Sequence, residues 1–336
     1  MTQKIKVALL LFAALCIISI LLYLKNTSST LPKELRDFAV EDTAGISKIF
    51  LADKNNKTIT LVRKDGFWTV NELFSARKDL VDVMLKTICR LNVKAPVSKS
   101  THNTIVKSLA TSSVKVEIYQ KDKLIKTFFV GGATPDNLGT YMLLEGSSTP
   151  FIMDIPGFFG YLTSRFTTDL NDWRDHSVFR YNFSDIANVE VNIPSAPTQS
   201  FRVSNLSNNR FSLESLAEGK QILHFDTIAL KEFLASFKRL NFESFISDVS
   251  QKRKDSILKS TPLVIIAVTD KSGTRNFAKF YYKPNFTKKL SQDGDPFPYD
   301  PDRMYAFINQ DKDLVNAQYF VFDPVMKELK YFLPQK

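Results

Sequence analysis

Cysteine occurs twice in the 336 residues and histidine three times. Cys16 and Cys89 cannot build a disulfide framework or a structural zinc site. His102, His176 and His224 stand far apart with different neighbours, which argues against a histidine metal centre. The Gly-x-Ser-x-Gly and His-Glu-x-x-His patterns are missing, as is any Cys–His pairing, so those hydrolase and protease signatures are excluded. Eleven glycines and fourteen prolines are too few for a low-complexity chain. The formal charge is +10, yet no basic run is interleaved with aromatics as a nucleic-acid surface would be. The densest run, 251–254, is followed by Asp255 and suits a solvated helix edge. The expectation is a protein without catalytic residues, cofactor, metal or nucleic-acid partner.

Hydrophobic residues make up 44 % of the chain, and one stretch stands out among them. Lys4 and Lys6 precede an unbroken apolar run from Val7 to Leu24. As a helix it would span about 27 Å, enough for the hydrocarbon core of a bilayer. A cleaved signal peptide has a shorter apolar core and small residues at its cut site, whereas this run ends in bulky Leu-Leu-Tyr-Leu. Cys16 lies inside the run, preceded by Ala-Leu, and does not read as a lipidation site. Residues 1–24 are therefore expected to be an uncleaved signal anchor, with the membrane contacted through residues 7–24. The lysines before the run place the N-terminus in the cytoplasm and the remainder in the periplasm.

The rest of the chain repeats itself. Arg77–Asn92 overlays Asp226–Asn241 without a gap, sharing the tripeptide Arg-Leu-Asn. Val81, Met84, Leu85, Ile88 and Leu91 fall on Leu230, Phe233, Leu234, Phe237 and Leu240, one face of an amphipathic helix. Val114–Tyr119 overlays Leu263–Val268 at the same offset. Before the helix, Ser47–Ala52, Thr58–Arg63 and Phe67–Val70 match Asn188–Ile193, Gln199–Val203 and Arg210–Leu213. After it, Leu124–Val130 matches Arg275–Tyr281, Tyr141–Leu144 matches Met304–Ile308, and Phe151–Asp154 matches Tyr319–Phe322.

Each unit thus reads as three strands, a helix, then three or four strands joined by turn-forming residues. That order predicts an α+β fold of two duplicated antiparallel sheet-plus-helix modules. Alternation such as Thr58–Arg63 predicts one wet face per sheet, the other lying under the helix. The expected boundaries are an anchor at 1–24, a stalk at 25–45, a first repeat at 46–155, a linker with a short helix at 156–185, and a second repeat at 186–336.

Three segments, 131–146, 155–166 and 169–179, occur in an order that resembles a bacterial family known only as a domain of unknown function. The resemblance implies a membrane-anchored envelope protein of the kind met in Bacteroidetes-type bacteria. It further implies an association with ABC transporters of the gliding-motility type. It brings no catalytic residue, cofactor or substrate.

Candidate binding residues come from two of these segments. Gly131 and Gly132, followed by Asp136 and Asn137, could form a nest of backbone N–H groups for an anion. A turn between two strands needs the same residues, and neither the P-loop nor the dinucleotide spacing is present. Trp173 and Arg174 are favoured types for a partner anchor; alternatively, Trp173 buries between the two units while Arg174 pairs with a neighbouring Asp. Asp293, Asp295, Asp300 and Asp302 offer carboxylates to a hard cation, but an exposed acidic loop explains them as well.

The leading expectation is a non-enzymatic envelope protein that binds a protein or polymer partner. A cell-wall glycan hydrolase or transferase using the Asp-rich segments, or a lipid carrier, is the alternative. The mature protein is expected to keep Met1–Leu24 and to fractionate with the cytoplasmic membrane. An amino terminus mapped after residue 24, or recovery in the soluble fraction, overturns the anchor.

Overall fold

The computed structural model describes residues 15–19, 37–206 and 210–334. The chain divides into two units, at Asp175 and His176. The first contains β1 (Ile46–Ala52), β2 (Thr58–Lys64), β3 (Phe67–Val70), β4 (Phe74–Ser75) and helix α1 (Lys78–Arg90). It continues with β5 (Asn92–Pro96), α2 (His102–Ser112), β6 (Val114–Gln120), β7 (Lys123–Ala133), β8 (Thr140–Leu144), β9 (Phe151–Asp154) and the one-turn α3 (Leu170–Trp173). The second begins with β10 (Ser177–Phe179), β11 (Ile186–Asn192), β12 (Phe201–Asn205), β13 (Phe211–Ser215), β14 (Lys220–Ile222) and α4 (Thr227–Ala235). There follow β15 (Leu240–Asn241), β16 (Ser244–Phe245), α5 (Gln251–Lys259) and β17 (Val264–Asp270). The unit ends with β18 (Arg275–Pro284), β19 (Tyr299–Ile308), β20 (Asp313–Gln318) and α6 (Tyr319–Phe322).

Each unit is built on a nine-stranded antiparallel sheet. The orders are β4-β3-β2-β1-β6-β7-β8-β9-β5 and β14-β13-β12-β11-β17-β18-β19-β20-β16, the same path through the sheet in both. Even an irregularity recurs: β1 slips register against β6 between Ile46 and Lys48, and β11 against β17 between Ile186 and Asn188. The protein is α+β, with two similar sheet modules.

The helix register expected from periodicity is the one found. In α1, Val81, Met84 and Ile88 are buried, with Asp79 in the first turn and Arg90 in the last, where the helix dipole favours them. Leu85, expected with them, is half-buried. In α4 the side chain of Asp226 caps the N–H groups of Ile228 and Ala229, and Leu230, Phe233 and Leu234 are buried. This helix is shorter than expected: 236–238 tighten into a 3-10 turn carrying the buried Phe237, and Leu240–Asn241 form a strand with β10.

Strand register is one residue out in places. The inward-facing Ile49 and Leu51 correspond to Val189 and Val191, because they pair with Ile118 and Val116 as the latter do with Val268 and Ile266. The expected overlays of 47–52 and 114–119 would have put inward residues opposite outward ones. The counterpart of β9 is β20, whereas 319–322, expected as a strand, is the helical turn α6. Nor is one sheet face left wholly wet. Neighbouring strand residues face opposite ways. Val130 joins the α1 core while Gly131 lies under Leu109 of α2. Phe280 likewise joins the α4 core, and Tyr281 packs with Ile257 of α5, Tyr305, Phe307 and Leu314.

The expected stalk and linker also take part in the cores. Phe38 is buried against Phe128 and Phe151, so 37–45 belongs to the first module and not to a stalk. Leu162, Phe166 and Trp173 complete the same core, while Val178 and Phe179 belong to the second; the segment 156–185 is shared out between them. Among the described residues no helix is long and apolar enough to cross a membrane. The run Val7–Leu24 lies outside the described residues except for 15–19, which are helical.

A matching closure ends both modules. The N–H of Arg77, at the start of α1, donates to the carbonyl of Trp173 at 2.7 Å; that of Asp226, at the start of α4, donates to the carbonyl of Phe332 at 2.8 Å. Both aromatics are buried in their own module's core. Trp173→Ala is expected to destabilise the first module by about 3–5 kcal/mol, and Phe332→Ala the second by a similar amount. Denaturant unfolding of the full chain with peptide-resolved hydrogen exchange checks this. Lost protection should fall within 38–175 for one variant and 177–334 for the other; unchanged protection refutes the closing role.

Candidate functional site

Gly131 and Gly132 lie within strand β7, and neither has a positive φ. The expected anion nest is therefore not what they form. A Cβ on Gly131 would sit 2.6 Å from Leu109 Cδ2 and 3.1 Å from the carbonyl oxygen of Tyr141, so the glycine lets α2 lie close on the strand. Beyond them, Asp136 accepts hydrogen bonds from the Thr134 hydroxyl and from the N–H of Leu138 at 3.0 Å. The Thr134 bond holds its carboxyl below the usual range. Asn137 takes the left-handed conformation, φ 57°, and its N–H donates to the carbonyl of Thr134. These residues satisfy one another and close the β7–β8 hairpin.

Trp173 is 1 % exposed, so it offers no anchor to a partner. Its indole N–H donates to the carbonyl of Thr167 at 2.8 Å, and its ring is part of the core of the first module. Arg174 is also buried, its guanidinium 4.1 Å over the ring of Phe74. Asp169 caps α3 through the N–H of Asn171, and Asp172 accepts from Thr167. The structure thus brings Trp173 and Arg174 together as a seal along β4, where Arg174 bridges Ala76 and the N–H of Asp175 donates to the carbonyl of Ser75.

Exposed chemistry gathers instead on the β18–β19 hairpin. The equivalent hairpin of the first module closes beyond the pair Ala133–Thr140 through 134–139. In the second, the last pair is Pro284–Tyr299, and 285–298 extend beyond it. Asn285 organises this extension: its amide donates to the carbonyls of Lys289 and Phe297, and its oxygen accepts the N–H of Lys289. A bridge between Leu290 and Pro296 narrows the tip. The apolar side chains of Phe286 (67 % exposed), Leu290 (59 %) and Phe297 face solvent. Tyr282 and Tyr299 stack at its root, ring centroids 4.4 Å apart.

Ion pairs fix that root. Arg303 makes a two-pronged bond to Glu243, at 2.6 and 2.7 Å. Lys289 pairs with Asp302 and lies 3.9 Å from buried Asp300, which accepts the N–H groups of Asp302 and Arg303. Lys283 donates to Asn316 at 2.7 Å, and burial lowers its pKa. The Arg303 bonds hold the Glu243 carboxyl below its ordinary range, and Lys289 does the same for Asp302. Burial pushes Tyr319, next in the chain after β20, up to about 12. Of the four carboxylates considered for a cation, Asp293 and Asp295 are exposed at the tip, while Asp300 and Asp302 are engaged by lysine and backbone. Among the described residues no group of three His, Cys, Asp or Glu is placed to hold a metal ion.

The exposed apolar side chains of this hairpin were hard to see in the sequence because its Asp-Pro-rich stretch drew attention to the acids. The readable signal was Phe, Leu and Phe spread through a long insertion relative to the first repeat. A family model described as Domain of unknown function (DUF4340) matches residues 68–260. That stretch runs from β3 to the end of α5 and stops short of the hairpin. No curated protein and no solved structure matches the chain.

The Glu243–Arg303 pair sets an acid dependence. Because the folded carboxyl titrates below the ordinary glutamate value of about 4.3, its stabilising contribution is complete above that value. It fades as the pH falls through the lower folded value. Unfolding midpoints measured from neutral to acid pH should fall along this limb, and Glu243→Gln should flatten it while lowering stability at neutral pH. An acid limb identical to that of the unaltered protein rules the pair out.

Proposed function

We propose, for a chain that belongs to the DUF4340 family, that it is a non-enzymatic, membrane-anchored envelope protein whose second module docks a protein partner. The anchor is the run Val7–Leu24, with the N-terminus in the cytoplasm and the two modules in the periplasm. The observation that supports docking most directly is the β18–β19 hairpin. It presents Phe286, Leu290 and Phe297 to solvent on a root held by Glu243–Arg303 and Lys289–Asp302, where the sister module has a short turn. Aromatic side chains, Phe included, are enriched at the cores of protein interfaces, and on a fixed support they lose little freedom on binding.

Joining this module to a second one on a membrane tether raises its effective concentration near a partner in the same membrane. The resemblance to envelope proteins of Bacteroidetes-type bacteria extends the proposal to an accessory role beside an ABC transporter. Such a partner is itself held in the membrane, within reach of the tether.

Crosslinking of the full chain in native membranes, followed by co-purification, tests the proposal. The chain should capture a defined membrane-associated protein. Capture should be lost when Phe286, Leu290 and Phe297 are all changed to Ser, while the thermal melt moves little, as for most surface changes of about ±0.5 kcal/mol each. Undiminished capture by that triple variant refutes the hairpin as the docking element.

A further inference from the structure

The first module carries an exposed apolar feature of its own, and its surroundings indicate what covers it. After β9 the chain turns through Gly157 (φ +80°) and Gly160 (φ +147°), backbone conformations that suit glycine alone. The two residues between them are thrust outward: Phe159 is 87 % exposed and Phe158 38 %. Tyr161 and, on the adjoining 134–139 loop, Leu138 are also exposed. The support is firm. The N–H of Leu162 donates to the Thr140 hydroxyl at 2.7 Å, and the Thr163 hydroxyl donates to the carbonyl of Gly131 at 2.8 Å. Arg165 donates to Thr87 and lies 4.3 Å over the Phe158 ring.

Basic side chains stand on the elements beside this tip. Arg90 donates to the carbonyl of Pro156 at 2.9 Å, and Lys94 to that of Leu138 at 3.2 Å. Lys86, one turn before Arg90 on α1, is exposed as well. Acids stand nearby as well: Asp154 accepts from Asn92, Asp136 from Thr134 and Leu138, Asp82 pairs with Lys78, and Glu41 and Asp42 are exposed where the chain joins the module. Apolar aromatics ringed by Lys and Arg are the side chains that seat a protein in the interface of an anionic bilayer.

The chain itself brings that bilayer near. The last turn of α1, which holds Pro156 through Arg90, also holds the place where the chain joins the module: the N–H of Val40 donates to the carbonyl of Ile88 at 3.2 Å, and the Cys89 thiol lies 3.7 Å from the carbonyl of Glu41. Residues 25–36, between the apolar run and the first residue of the module, can span at most about 40 Å. The aromatic tip is therefore within reach of a membrane that holds Val7–Leu24.

We propose that the 156–161 loop is a membrane-docking tip, with Phe158, Phe159 and Tyr161 seated in the interface of an anionic bilayer. The proposal rests on the anchored reading of the chain, and the experiment separates the two. Full-length Phe159→Trp protein is reconstituted into phosphatidylcholine–phosphatidylglycerol vesicles with brominated or unbrominated acyl chains, and the vesicles are floated on a gradient. The native Trp68 and Trp173 are buried and give a background common to all variants. The introduced tryptophan should be quenched severalfold by the brominated lipid, while one placed by Leu73→Trp, a site 78 % exposed in the same module, should not be. Phosphatidylcholine alone should weaken the quenching. A floating chain without quenching, or with equal quenching at the two sites, overturns the docking tip. A chain that stays at the bottom of the gradient overturns both the tip and the anchor.

Discussion

Each module depends on one backbone hydrogen bond and the ring beside it. The amide at the start of the long helix, Arg77 or Asp226, donates to the carbonyl of the module's last large aromatic, Trp173 or Phe332. The first N–H groups of a helix have no partner within it. Here one is met by a residue whose side chain also seals the sheet–helix core, so the helix position, the core and the end of the module are fixed together. Phe332 packs edge-on against Phe201 of β12 and Phe233 of α4, linking sheet, helix and closing segment in a single cluster.

From this shared plan the modules diverge at the same hairpin. In the first, the β7–β8 connection is short and Gly131 lets α2 lie close on the sheet. In the second, Tyr281 stands at that position in β18 and builds a small aromatic core under α5, while the hairpin lengthens beyond Pro284. Duplication preserves strand order and even a slipped register, and the central strands of both sheets carry the buried residues that set them. The hairpin tip carries no such burden and is free to differ in length and sequence.

The long helices were legible because their apolar residues recur with helical spacing and the Arg-Leu-Asn tripeptide fixes the overlay. Strand alternation carries less information: a one-residue shift leaves the pattern intact while reversing the faces, which is why 47–52 and 114–119 were overlaid one place out. Helix α2 was hidden by its composition, rich in Ser and Thr with Leu109 alone buried. Tyr319–Phe322 has the residues of a strand, yet packing of Phe322 against Phe280 holds it helical. Of the candidate sites, the burial of Trp173 could be read from its apolar neighbours. Gly131 and Gly132 looked like a turn because nothing local reveals that a helix two elements away presses on the strand.

The closing aromatics also set an order of events as the chain is made. Each comes after every strand of its sheet, so neither core is complete until the last stretch of its module has emerged. Synthesis proceeds from the N-terminus, and domains generally fold as units in that order. The first module can close on Trp173 while the second is still being made. The second waits for Phe332, and until then the Phe201 and Phe233 rings lack their cover. For that interval the exposed half-sheet is a natural target for chaperones and proteases, and a chain ending before Phe332 would make the interval permanent.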